Sequence, residues 1–400
     1  LRRINLVSYA SRFDKIPPYL FGEISRVKAK AISEGKDVID FGIGDPDQPT
    51  PHAIIDKIAE AVNDPRCHRY DESDYGWPEF IDAAAAWVKR RFGVELDTAK
   101  GEVLQVIGSK EALAHLAWAF INPGDIALVP DPGYPVYKVN TSMAGGVPYV
   151  MPLLAENGFL PDLSAIPSDV AQRAKLMYIN YPNNPTGAIG SKEFFAEVVA
   201  FAKKYDIIVC HDAAYSEVAF DGYKAPSFLE IPGAMDVGIE MHSLSKTFNM
   251  TGWRIGFAIG NPYIVKGLEK MKSNVDSKQF PAIAIAGAYA LSNLDGNAET
   301  FALYQRRRDI LIDGLNSLGW KLPKSKATLY VWIPVPPGYT SKDFAMMLLE
   351  KASVNVIPGT GYGQYGEGYV RLSLTVSGDK NGERVAEAIE RLRKDVQIKW

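Results

Sequence analysis

Between residues 100 and 260, short apolar runs alternate with amphipathic helical stretches, and each run ends in a cluster of polar and turn-forming residues. Val103 to Ile107 leads into Gly108-Ser109-Lys110, Ile126 to Val129 into Pro130-Asp131-Pro132-Gly133-Tyr134, and Lys175 to Asn180 into Tyr181-Pro182-Asn183-Asn184-Pro185-Thr186-Gly187. Ile207 to Cys210 ends at His211-Asp212-Ala213-Ala214-Tyr215, Met241 precedes Ser243-Leu244-Ser245-Lys246, and Ile255 to Ile259 closes the series. Continuous apolar runs suit strands covered on both faces. A helix striped by Phe194, Phe195, Val198, Phe201, Ala202 and Tyr205 is the kind of element that covers them. The expected fold is α/β: a large domain with a mostly parallel sheet covered by helices on both faces, plus a smaller α+β domain. In such sheets ligands bind beyond the carboxyl ends of the strands, where these polar clusters fall.

Beyond Asn261-Pro262 the pattern becomes helical, and after Gly319 it mixes extended stretches (Leu329 to Ile333, Val354 to Ile357, Tyr369 to Leu374) with helices. Val385, Ile389, Leu392 and Val396 mark a terminal amphipathic helix. The expected division is residues 1–50 as an N-terminal arm and part of the small domain, 51–290 as the large domain, and 291–400 as the small C-terminal domain. A net charge of -3 gives no electrostatic footprint for nucleic acid or an anionic membrane. No apolar run approaches the ~20 residues that span a bilayer. The cluster Arg306 to Arg308 is expected on a solvated helix face. Cys67 and Cys210 have no metal-ligand spacing around them, so no metal site is expected. A reducing, cytoplasmic setting is the simplest reading of two lone cysteines, with a trimmed organelle-targeting segment left open.

The strand-end clusters carry complementary chemistry. Lys246 lies between Ser243, Ser245 and, eight residues on, Arg254. A desolvated lysine near other cations can form an imine with an aldehyde, and arginine with hydroxyls receives a phosphate. Pyridoxal phosphate offers both groups. Its ring nitrogen needs a buried carboxylate, for which Asp212, following four apolar residues, is the candidate. Tyr215 and Asn184 can donate to the ring's phenolic oxygen, and Tyr134 can stack on its face. Ser109 and Lys110, at a helix start, offer amides and the positive end of the helix dipole to the phosphate. Taken singly, each has a plainer reading: a solvated lysine, a helix cap, a ligand-free turn, a packing aromatic. Taken together, different parts of one site recur at one sheet edge.

On these residues the chain resembles the fold type I pyridoxal phosphate-dependent aminotransferases along essentially its whole length. Asn184-Pro185-Thr186-Gly187, Asp212 with Tyr215, Ser243-Leu244-Ser245-Lys246 and Arg254 follow the family's cofactor motifs in order and approximate spacing. The resemblance implies that Lys246 is the Schiff-base lysine and proton shuttle, and that Arg371 grips the substrate α-carboxylate. It also implies a homodimer with shared active sites, in which Tyr70 crosses to the neighbour's cofactor phosphate. Tyr19, Ile43, Gly44 and the neighbour's Asn274 are further pocket candidates by family position. Within the family the wording is closest to the branch acting on LL-diaminopimelate, which exchanges an amino group between glutamate with 2-oxoglutarate and LL-diaminopimelate with tetrahydrodipicolinate in lysine biosynthesis. Charge complementarity assigns the distal end of such a substrate to Lys110 and to the partner subunit's Glu72 or Asp74. A broad aspartate, alanine or aromatic aminotransferase and a β-eliminating lyase are the alternatives.

Overall fold

The computed structural model describes residues 8–16 and 22–396. Its strands are β1 (Ile39–Asp40), β2 (Val103–Val106), β3 (Ile126–Asp131), β4 (Val147–Pro152), β5 (Ala174–Ile179), β6 (Ile208–Asp212), β7 (Gly238–Ser243), β8 (Gly256–Gly260), β9 (Tyr330–Pro334), β10 (Val354–Asn355), β11 (Ile357–Pro358) and β12 (Tyr369–Ser373). Seven of them form one sheet in the order β2-β8-β7-β6-β5-β3-β4. Successive strand residues face opposite sides. Leu128, Met177 and Val209 enter one core, while Val129, Tyr178 and Cys210 enter the other. That two-sided burial is why these strands read as unbroken apolar runs. The helix Lys192–Tyr205 covers one face, capped by Ser191 Oγ accepting the Phe194 N–H at 3.2 Å and ended by Asp206 in the left-handed conformation.

Pairing in the sheet is parallel except at β8, which is antiparallel to both β2 and β7. Ser243 stands opposite Gly256, so residues 244–255 form a loop at the edge where the parallel strands end. Arg254, which precedes a strand, is thereby returned to the same edge as Asp212, which closes one. The edge strand β4 escaped the sequence pattern because most of its residues keep some exposure, which breaks the apolar run.

The C-terminal part builds a three-stranded antiparallel sheet in the order β11-β12-β9. The N-terminal β1 pairs in parallel with β10. The single extended stretch expected from Val354 to Ile357 is therefore two strands with different partners. The terminal helix Glu383–Asp395 buries Val385, Ala388, Ile389 and Leu392. Among the described residues no helix is long and apolar enough to cross a membrane.

The arginine cluster departs from expectation. Arg307 and Arg308 are 0% and 1% exposed, not solvated. Arg307 donates to both carboxylate oxygens of Asp47 at 2.9 Å and to Leu374 O at 2.8 Å, tying the loop after β1 to the chain after β12. Arg308 pairs with Asp221 and covers the Phe220 ring. Removing one partner of a buried pair strands the other's charge. Arg307→Met is therefore expected to destabilise the protein by about 3 kcal/mol or more, whereas Arg306→Ala should stay within about 0.5 kcal/mol. Urea unfolding followed by tryptophan fluorescence measures both, and equal effects would contradict this ranking.

Candidate active site

At the end of β7, Ser243 Oγ accepts the Ser245 N–H at 3.2 Å and opens the single helical turn Leu244–Thr247. Leu244, Phe248 and Met250 are buried, so the turn is anchored on both sides of Lys246. Lys246 Nζ donates to Gly44 O at 2.9 Å. Position 44 has no room for a side chain: a Cβ there would lie 2.1 Å from Tyr330 Oη. Burial is the largest influence on the Lys246 amine and, with the charges of Arg254 and Arg371, outweighs Asp45 to hold it down at about 8. A tenth or so of the molecules thus carry the neutral amine one unit below that value, as a nucleophile requires.

Asp212 closes β6 and is 5% exposed. Tyr137 Oη donates to its Oδ2 at 2.8 Å, and among the described residues no cation pairs with it. Burial pushes its carboxyl up, with the Tyr137 hydrogen bond opposing. Asn180, at the end of β5, connects the neighbouring pieces: its Nδ2 donates to Asp212 O at 2.7 Å and its Oδ1 accepts the Asn184 N–H at 2.8 Å. Tyr215 Oη and Tyr330 Oη are 2.8 Å apart.

Arg371 on β12 is buried. Its Nη1 donates to Asn184 Oδ1 at 3.0 Å and its Nη2 to Gly42 O at 2.8 Å, while Nε has no hydrogen-bond partner among the described residues. The guanidinium lies over the Tyr330 ring at 4.0 Å and the Tyr362 ring at 4.9 Å. Among the described residues no carboxylate pairs with it.

The opposite end of the site is a cup for an anion. Gly108 (φ 74°) introduces the helix Ser109–Phe120, and a Cβ at 108 would lie 2.4 Å from Arg254 Nη2. Arg254 donates to Thr251 O at 2.6 Å and approaches Ser245 Oγ at 3.5 Å, and both it and Lys110 remain exposed. Helix-start amides, hydroxyls and a guanidinium are the donor set for a phosphate monoester.

One cavity of about 960 Å³ joins these parts. Ser109, Lys110, Tyr134, Asn184, Asp212 and Tyr215 line it, as do Ser243, Ser245, Lys246, Arg254, Arg371, Ile43 and Gly44. Tyr70, 80% exposed, and Asn274, which caps the helix Pro262–Ser273, lie outside the cavity of their own chain. Tyr19 falls outside the described residues. Tyr137, Asn180 and Tyr330 were missed by sequence reasoning. Tyr137 had a signal, since it lies three residues after Tyr134 at the start of a helix; Asn180 was the polar end of an apolar run; Tyr330 had none.

An amine able to attack a carbonyl, a buried carboxylate awaiting a cation, an anion cup and a carboxylate-seeking guanidinium define an enzyme that handles amino acids and 2-oxo acids. Residues 36–389 match the family described as aminotransferase class I and II, and the chain belongs to it. This family and fold are generally pyridoxal phosphate dependent. The chain is 57% identical over 386 residues to the LL-diaminopimelate aminotransferase of Moorella thermoacetica, covering 96% of this chain and 97% of that one. The enzyme of the same name from Desulforudis audaxviator is 55% identical over 385 residues, with the same coverage. The solved structure of substrate-bound BacF from Bacillus subtilis superimposes with a TM-score of 0.89 at 39% identity, covering 97% of this chain and 98% of that one.

The lowered lysine has a stability signature. Against the ordinary lysine value of 10.5, the folded chain holds fewer protons than the unfolded one between about pH 8 and 10.5. Stability rises with pH through that window, and the cost of burying the amine is complete below it. Cofactor-free Lys246→Met protein should therefore be more stable than wild type by about 3 kcal/mol at pH 7, the difference shrinking toward pH 10.5. Calorimetry across that range tests this; a difference constant with pH would contradict it.

Proposed function

We propose that this chain is a pyridoxal phosphate-dependent aminotransferase that exchanges an amino group between glutamate with 2-oxoglutarate and LL-diaminopimelate with tetrahydrodipicolinate, a step of lysine biosynthesis. What carries the chemical part is the meeting in one cavity of Lys246 with an Asp212 that has no cation and an Arg371 that has no carboxylate among the described residues. The substrate part is supported by relatives of that name more than half identical across nearly their full length.

The residues present fit the cofactor. Lys246 would hold it covalently, and Asp212 would sit against its ring nitrogen. Ser109, Ser243, Ser245 and Arg254 would take its phosphate, Tyr215 and Asn184 its phenolic oxygen, and Tyr134 its face. When bound, pyridoxal phosphate supplies a carbonyl for amino exchange and a pyridinium that draws electrons from the substrate α-carbon. Asp212, anionic beside that cation, keeps the ring nitrogen protonated, and Tyr137 steadies the carboxylate from behind. Arg371 takes the α-carboxylate in a two-pronged grip and so orients the α-hydrogen. Lys246 Nζ, neutral in part near pH 8, removes that proton and returns it later. Selection between substrates then falls to groups farther out, among which we place Ile43, Gly44 and Lys110.

We further infer a homodimer in which each subunit contributes Tyr70 and Asn274 to its partner's site. The exposure of Tyr70, Asn274, Lys110 and Arg254 in the single chain supports it, since an anion cup open to water is a weak one. The two buried, unpaired cysteines accord with a reducing, cytoplasmic setting.

A single-turnover titration followed in the visible band distinguishes the substrates. LL-diaminopimelate and glutamate should convert the bound coenzyme rapidly, with the meso isomer, aspartate and tyrosine slower by about tenfold or more, a difference of roughly 1.4 kcal/mol. Equal rates for aspartate and LL-diaminopimelate would overturn the substrate assignment and leave the transaminase chemistry standing.

A further inference from the structure

The loop that follows Tyr70 is sorted residue by residue. Asp71 and Ser73 turn inward and are partly buried, whereas Tyr70, Glu72 and Asp74 are exposed and line no part of their own chain's cavity. The sorting agent is Lys278, whose side chain is 13% exposed. Its Nζ donates to Ser73 O and, at 3.2 Å, to Asp71 O, with Asp71 Oδ2 at 3.6 Å. Asp71 Oδ1 in turn accepts the Ser73 N–H at 3.0 Å. A nearly dehydrated ammonium is costly unless its protons meet acceptors, and here the acceptors all belong to one short arc of chain. Clamping the inward pair leaves the alternate residues facing away from the molecule.

Lys278 is itself held. It adopts φ 63°, unusual for a side-chain-bearing residue, and its N–H donates to Asp276 Oδ1 at 2.9 Å. The same oxygen accepts from Lys272 Nζ at 2.7 Å, and Lys272 is 2% exposed. The clamp is thus built on a fixed base.

We propose that Lys278 is a positioning residue that acts across the subunit interface: by fixing Asp71 and Ser73 in its own chain, it presents Tyr70 to the partner's cofactor phosphate and Glu72 and Asp74 to the distal ammonium of the partner's substrate. This rests on the shared-site dimer proposed above. Its consequence is that damage at 278 is felt in the other subunit's site.

Lys278→Met should weaken pyridoxal phosphate binding about tenfold by equilibrium dialysis and raise KM for LL-diaminopimelate more than KM for glutamate. Lys278→Arg, which keeps a cation for the same carbonyls, should restore most of both. The decisive sample is a differentially tagged hybrid of a Lys278→Met subunit with a Lys246→Ala subunit. Its one lysine-bearing site belongs to the Lys278→Met chain but receives an intact loop from the other. Coenzyme trapped there by borohydride, and kcat/KM per such site, should return to within about twofold of wild type. A site as weak as in the Lys278→Met homodimer would show that Lys278 serves only its own chain and would overturn the proposal. Should Lys278→Met not fold, Asp71→Asn, which removes only the clamped carboxylate, goes through the same hybrid with the same two outcomes. Sedimentation of wild type is the separate control: a fully active monomer would sink the dimer reading itself, whatever position 278 does.

Discussion

Arg371 is a guanidinium taken out of water and, among the described residues, given no carboxylate. Among the described residues two neutral oxygens and two aromatic faces receive it, and its Nε has no hydrogen-bond partner. Leaving a buried charge in that condition costs the fold several kcal/mol. The arrangement makes sense only if an anion completes it, and it also joins the pieces of the molecule. Asn184 comes from the turn after β5, Gly42 from the chain after β1, and Arg371 from β12. The guanidinium proposed to take the substrate's carboxylate is therefore also one that links the large sheet to the C-terminal sheet.

Asp212 and Lys246 are displaced from their ordinary titration in a complementary way. Burial drives the carboxyl up and the amine down, each toward neutrality. A protonated aromatic nitrogen beside Asp212 would restore the carboxylate, and a carbonyl carbon beside Lys246 would consume the neutral amine. One molecule spanning the two relieves both desolvation costs at once. The antiparallel turn of β8 makes such a span feasible. It places Arg254, at the start of one strand, at the same sheet edge as residues that end the others.

Two parts of this site that were legible in the sequence share a cause. Ser109 and Asp212 stand at the ends of runs buried on both faces, so the apolar run announces the polar residue at its end, whereas Lys246 follows a strand broken by Glu240 and His242 and was legible from its flanking serines and Arg254. Phe194 and its stripe were legible from burial too, at a fixed period. Tyr330 was not, because its hydroxyl reaches Tyr215 only through the packing of β9 against the segment that follows β6, and nothing near it in sequence encodes that meeting. Arg307 and Arg308 were misread outright. Three consecutive arginines look like solvent-facing charge, and only the return of Asp47, 260 residues away, reveals why one of them is fully buried.

The same distinction separates chemistry from selectivity in this molecule. The groups proposed to hold a coenzyme and move a proton stand on strand ends and on a turn anchored by the buried Leu244, Phe248 and Met250. Glu72, Asp74, Tyr70 and Asn274 stand on exposed segments whose placement depends on a few polar contacts such as those of Lys278. A relative can alter those segments without disturbing the core, because few buried apolar contacts depend on them. Enzymes of this architecture can therefore share one sheet edge and its reaction while differing in which amino acid they accept. On the proposed dimer, the sequence of the loop after Tyr70 would matter more to recognition of the distal end of the substrate than that of the large-sheet strands.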